Sequence, residues 1–161
     1  MNFIAIFLTV VFVAYMILTD RIVGTSFSIS DSWYSWKRIK KEWMFIIFLL
    51  CISLGLFLIV EETEWKHRAS PWLLVIGACT NWLIGLFGNF KQGWRESMYH
   101  NIFSVATFAC VLIAFAIEGI TFPIVGFSII CAALVPIDIA KKTTIIESVG
   151  IGLSVAAIFY L

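Results

Sequence analysis

Apolar residues in this chain of 161 do not alternate in short periods; they run together. Stretches nearly free of charge occupy about 2–19, 44–60, 71–90, 100–117, 119–137 and 145–161. Each reaches or approaches the roughly 20 residues that a helix rising about 1.5 Å per residue needs to cross about 30 Å of hydrocarbon. No water is available in that layer, so backbone groups must be satisfied within each segment, and runs of this length are helices. The fold expected is all-α: a polytopic transmembrane bundle of about six helices, forming one domain over 1–161. The first stretch reads as a retained helix and not a cleaved signal. Met1 and Asn2 give it no basic start, and Tyr15, Met16, Ile17 and Leu18 give it no small-residue cleavage site. The last stretch carries Glu147. Pro123 falls in the first turn of the fifth, where a missing donor is tolerated, and Pro136 stops or kinks that helix near its end.

Between the first two stretches, about 29–43 predicts a cytoplasmic amphipathic segment. Ser28 followed by Asp31 three positions later resembles a capping box, and Trp33, Trp36, Lys40 and Trp43 share a helical face. On this reading the Trp rings lie at headgroup level, and Lys37, Arg38, Lys40 and Lys41 meet anionic lipid headgroups.

Composition narrows the class. With 61% apolar residues, 13% charged and a mean hydropathy of +1.01, the chain is not an ordinary soluble domain. Nucleic-acid-binding modules, soluble cofactor folds and secreted disulfide scaffolds are excluded with it. The net charge of +1 says little, but its distribution says more. Arg21, Lys37, Arg38, Lys40, Lys41, Lys91, Arg95, Lys141 and Lys142 fall in alternate connections, leaving Lys66 and Arg68 to the opposite side. Cytoplasmic loops retain excess Lys and Arg, so both termini are expected outside the cytoplasm of a bacterial-type inner membrane. Cys51, Cys79, Cys110 and Cys131 lie one to a stretch, without the paired spacing of a metal knuckle. No metal or cofactor is called for, and the bilayer is the expected partner.

Polar residues inside apolar runs are where chemistry is sought, because such groups face a bundle interior or a watery cavity. Glu96, His100, Ser104 and Thr107 form one stripe entering the fourth stretch, and Glu96 stands one turn from a histidine that titrates near neutrality. Gly77, Asn81, Gly85 and Asn89 recur every four residues down the third stretch, and Gly152 lies on a similar face in the last. Either face serves close helix packing, including homo-oligomer contact through Gly77 and Gly85 or Gly152, or the lining of a pathway. Ser28, Ser30, Asp31, Tyr34, Asn81, Asn89, Glu96, His100, Ser104, Asp138 and Glu147 are accordingly the candidates for a polar cavity open to the cytoplasm. Glu147 is expected to pair with Lys or Arg.

The Ser-x-Ser-Asp-Ser-Trp-Tyr run of residues 28–34 resembles a signature that follows the first helix of small, uncharacterised multi-pass membrane proteins of bacteria and their phages. A later Gly-x-x-Asp/Asn-Phe stretch followed by His is similar to residues 85–90 with His100. The resemblance spans about a fifth of the chain; it implies the multi-pass fold and no activity.

Permeation of an ion or small solute is the function these features support best. A non-catalytic interaction subunit also fits. An intramembrane lipid hydrolase would use Ser28 or Ser30 as nucleophile or to bind metal-held water, His100 as base and Asp31 or Asp138 as the orienting or metal-binding carboxylate. It would lack the His-x-x-x-His pair of ceramidase-like and progestin-receptor-like membrane hydrolases.

Overall fold

A computed structural model describes residues 2–24, 29–87, 93–134 and 142–161, with the side chains of Asn2, Glu96, Lys142 and Thr144 left undescribed. Among the described residues the chain forms seven helices: α1 (Asn2–Val23), α2 (Ser32–Arg38), α3 (Trp43–Glu62), α4 (Ala69–Leu86), α5 (Trp94–Ile117), α6 (Phe122–Leu134) and α7 (Lys142–Ile158). The short α2 falls within the expected amphipathic segment, and the other six fall on the apolar stretches. Four of them, α1, α3, α4 and α5, are long and apolar enough to cross a membrane. The 13 residues of α6 rise about 20 Å, less than the hydrocarbon thickness, and the apolar part of α7, Ile145–Ile158, is also short.

The fifth helix was expected from residue 119 but begins at Phe122, and the cause is local. Gly119 takes φ +87, a left-handed conformation that costs glycine little, while Ile120 N–H donates to Phe115 O at 2.9 Å and Gly119 N–H to Ala116 O at 3.1 Å. This arrangement terminates α5 and spends residues 119–121 on the turn. The α4 helix ends at Leu86 and α5 starts at Trp94, six residues before the predicted onset. Residues 88–90 and 135–137, expected at helix ends, lie outside the described residues.

Helix α4 packs between α3 and α5, α1 lies on α3 and α7, and α6 bridges α7 and α5. Residues without bulk set the closest approaches. A Cβ on Gly77 would stand 3.2 Å from Val111 Cγ2 and 3.6 Å from Thr107 O, so α5 seats directly on the α4 backbone. Gly55 accepts Leu8 of α1 in the same way, and a Cβ on Gly85 would meet Leu49 at 3.4 Å. Gly77 and Gly85 are thus engaged within the chain. Gly152 has nothing within 4 Å.

Hydroxyl and amide groups fasten these contacts. Asn81 Nδ2 donates to Leu49 O at 2.9 Å and to Ser53 Oγ at 3.0 Å, and Ser53 Oγ donates to Ala78 O at 2.9 Å, joining α3 to α4. Thr80 and Thr107 share a 2.9 Å hydrogen bond between α4 and α5.

The segment around α2 departs from its expected placement. Trp33 and Trp36 are buried, and Trp36 Nε1 donates to Thr19 Oγ1 at 3.2 Å. Tyr15 stacks on Phe48 with ring centroids 4.1 Å apart and hydrogen-bonds Ser32 through its hydroxyl. These rings form a core with Phe45 and Leu49, so two of the four residues assigned to a headgroup-facing surface face the bundle. Trp43 and Lys40 remain exposed. The expected capping box is also replaced: the helix starts at Ser32, with Asp31 at the N-cap position making no side-chain cap bond, and Ser28 lies outside the described residues.

Candidate functional site

A cavity lies among α1, α3, α4, α5 and α7, floored at one end by Ile29 and Ser30. The space between its atoms, counted out to the open mouth, is about 870 Å³. That is room for a small ligand. Six polar residues are among those that line it: Ser30, Asn81, Ser104, Thr107, Glu147 and Ser154. The rest of the wall is apolar, with Phe45, Phe48, Phe108 and Phe115 supplying aromatic surface.

Ser30, Asn81, Ser104 and Glu147 of the sequence-derived candidates therefore share one cavity. The walls expected to be polar are instead mostly hydrocarbon. Helices α3 and α5 carry large apolar residues on their inward faces as well as their outward ones, and single polar groups punctuate them.

Each of those groups has a definite setting. Glu147, in the second turn of α7, accepts hydrogen bonds from Ile29 N–H and from Ser30 Oγ at 3.3 Å, which ties the segment before α2 to α7. Among the described residues these donors replace the Lys or Arg expected opposite it. Asn81 lines the cavity with the same side chain that clasps α3 to α4. Ser104 Oγ is buried without a hydrogen-bond partner among the described residues. Ser154 Oγ donates to Gly150 O at 2.8 Å within its own helix.

The remaining candidates sit around or outside the cavity. His100 is 2% exposed, beside Phe87, whose ring packs against Tyr99 and Phe103 at 5.3 and 5.5 Å; Asp31 lies within electrostatic reach of it. Tyr34 meets the Trp33 ring edge-on at 4.9 Å. Glu96 belongs to α5, but its side chain is not described, and Ser28, Asn89 and Asp138 lie outside the described residues. Of the basic group, Lys37 Nζ sits 4.5 Å over the Trp33 ring and Arg38 Nη2 donates to Val23 O at 3.3 Å; Lys40 and Lys41 are exposed.

Two features escaped sequence reasoning. Ser154 shares a helix with Gly152 but lines the cavity, and nothing in a hydroxyl-bearing apolar run marks that. Glu118 is the other. Its side chain is 4% exposed at the end of α5, where it accepts from Ser70 Oγ at 2.5 Å and from Lys66 N–H and His67 N–H, both at 3.1 Å, with His67 Nδ1 3.5 Å away. Burial pushes its carboxyl up, but these donors and the charge of His67 outweigh burial and hold it below the usual carboxylate range. The available signal was its isolation, an acid alone in the single-residue gap between two apolar stretches. Glu118 holds the α3–α4 connection onto α5 and lies away from the cavity.

No protein-family model, curated protein or solved structure matches the chain. Among the described residues no three His, Cys, Asp or Glu side chains gather as a metal-binding group, and the four cysteines are free thiols. One carboxylate, hydroxyls and an amide set in hydrocarbon suit holding a solute that is itself largely apolar.

Proposed function

We propose that this is a six-span protein of a bacterial-type inner membrane, with both termini outside the cytoplasm, that carries a small, partly apolar solute through the cavity among α1, α3, α4, α5 and α7. The observation that carries this reading is the convergence of Ser30, Asn81, Ser104 and Glu147 from four separate parts of the chain on one cavity with otherwise apolar walls. A pathway for hydrated inorganic ions calls for rings of carbonyls or charges, so the apolar wall favours a solute bearing its own hydrocarbon surface. The short α6 spans by drawing the bilayer thinner around it.

Liposomes containing the purified protein test this. Uptake of small amphiphiles above that of empty liposomes is expected, and Ser154→Phe, which fills the cavity, abolishes it while leaving the unfolding temperature within a few degrees. A protein that passes none of a panel of cationic, neutral and anionic amphiphiles would overturn the reading.

A second reading, an interaction subunit, draws on Gly152. It is exposed with open space above it, and small residues admit a partner helix. Replacing it with leucine would then remove a co-purifying partner or a dimer without changing uptake.

A further inference from the structure

The transport reading leaves the charge of the solute open, and the cavity wall bears on it. Among the described residues Glu147 is the one ionisable side chain on that wall; no Lys or Arg reaches it, and the other polar groups, Ser30, Asn81, Ser104, Thr107 and Ser154, are neutral. Asp31 lies within electrostatic range of Glu147 at the same end. Phe45 and Phe48, clustered with Ile29 at the Glu147 end, border the space, and aromatic rings attract cations. An anion would be driven into hydrocarbon beside a carboxylate that has no counter-charge among the described residues, which low-dielectric surroundings penalise. A small inorganic cation would have to shed its water for few ligands. A cation with a weakly hydrated head and an apolar body meets neither obstacle.

The wall also has a direction. Glu147 and Ile29 mark one end, and Leu8, Phe115 and Ile158 lie toward the other. From Glu147 to Ile158 the helix rises about 16 Å, the reach of an alkyl chain of about eight carbons with a compact head. We propose that the cavity is a binding site for a lipophilic cation, a single-chain alkylammonium being the simplest form, with its head at Glu147 and its tail running between α1 and α5. This proposal rests on the transport reading for its role, but the site stands on the geometry alone.

The probe is octyltrimethylammonium, with octanesulfonate as an anion of like shape and octanol as a neutral counterpart, measured on the full chain in lipid nanodiscs against empty nanodiscs. Saturable binding of the cation is expected. Glu147→Gln, which keeps the side chain's shape and an acceptor for Ile29 N–H, weakens it at least tenfold while octanol binding stays unchanged, and Ser154→Phe removes both. Octanesulfonate in hundredfold excess does not displace the cation from the native protein. Equal displacement by octanesulfonate, or undiminished cation binding by Glu147→Gln, overturns the proposal. If the variant fails to fold, the displacement result on the native protein decides alone. Saturable cation binding without uptake of any amphiphile in liposomes sinks the transport reading and leaves this site standing. Uptake of an anionic or neutral amphiphile without cation binding does the reverse.

Discussion

Glu118 and Asn81 stabilise the molecule by different means. Because the folded carboxyl of Glu118 is held below its ordinary range, its contribution is complete above the ordinary carboxylate pKa and is lost as pH falls through the lowered value. Glu118→Gln gives up that contribution. Unfolding temperatures of the two proteins in detergent should therefore differ most above about pH 5 and converge in stronger acid. Asn81 acts as a neutral clasp, donating to Leu49 O and Ser53 Oγ between two long helices. Side-chain hydrogen bonds between membrane helices are individually modest, so Asn81→Leu should cost roughly 1 kcal/mol in denaturant unfolding. The sequence made Asn81 conspicuous, an amide amid Trp, Leu and Ile, but could not say whether it packs helices or lines a space. Both are true, because a residue at the α3–α4 seam borders the cavity that the seam encloses.

The long helices were legible because length and hydropathy alone define a membrane-crossing run. Residues 44–60 and 71–86 required no knowledge of neighbours. Helix α2 was legible as a helix but not in its orientation. Tryptophan suits both a headgroup layer and a protein interior, and only Thr19 and Tyr15, a helix away, decide that Trp33 and Trp36 turn inward. The phenylalanine wall was illegible for a related reason. In a helix that is apolar all round, inward and lipid-facing rings look alike. The inward placement makes α2 a structural member. Trp36→Ala should cost about 3–5 kcal/mol through the void it leaves, with loss of the Thr19 bond. Limited proteolysis between 29 and 43 would rise with it, whereas Lys41→Ala on the exposed surface should leave both unchanged.

For the molecule as a whole, glycine decides how the helices close up. Gly77→Leu would force Val111 and the α5 backbone away from α4, a displacement costing typically 1–3 kcal/mol and enlarging the gap on the α5 side of the cavity. Its unfolding midpoint should fall. The same substitution at Gly152, which meets nothing within 4 Å, should leave the midpoint unchanged. The proposed topology is tested at the same scale. In a chain stripped of its four native cysteines, Ser35→Cys and Gly93→Cys should both react with a membrane-impermeant maleimide from the cytoplasmic side. Labelling from opposite compartments would refute the six-span arrangement.

Helix α7 supplies Glu147, Ile151, Ser154 and Ile158 to the cavity and rests on α1, more than a hundred residues earlier in the chain. The wall is therefore incomplete until α7 has folded back against the beginning of the chain: a protein cut short before residue 142 would keep the α3–α4–α5 stack but lack the Glu147 side of the cavity.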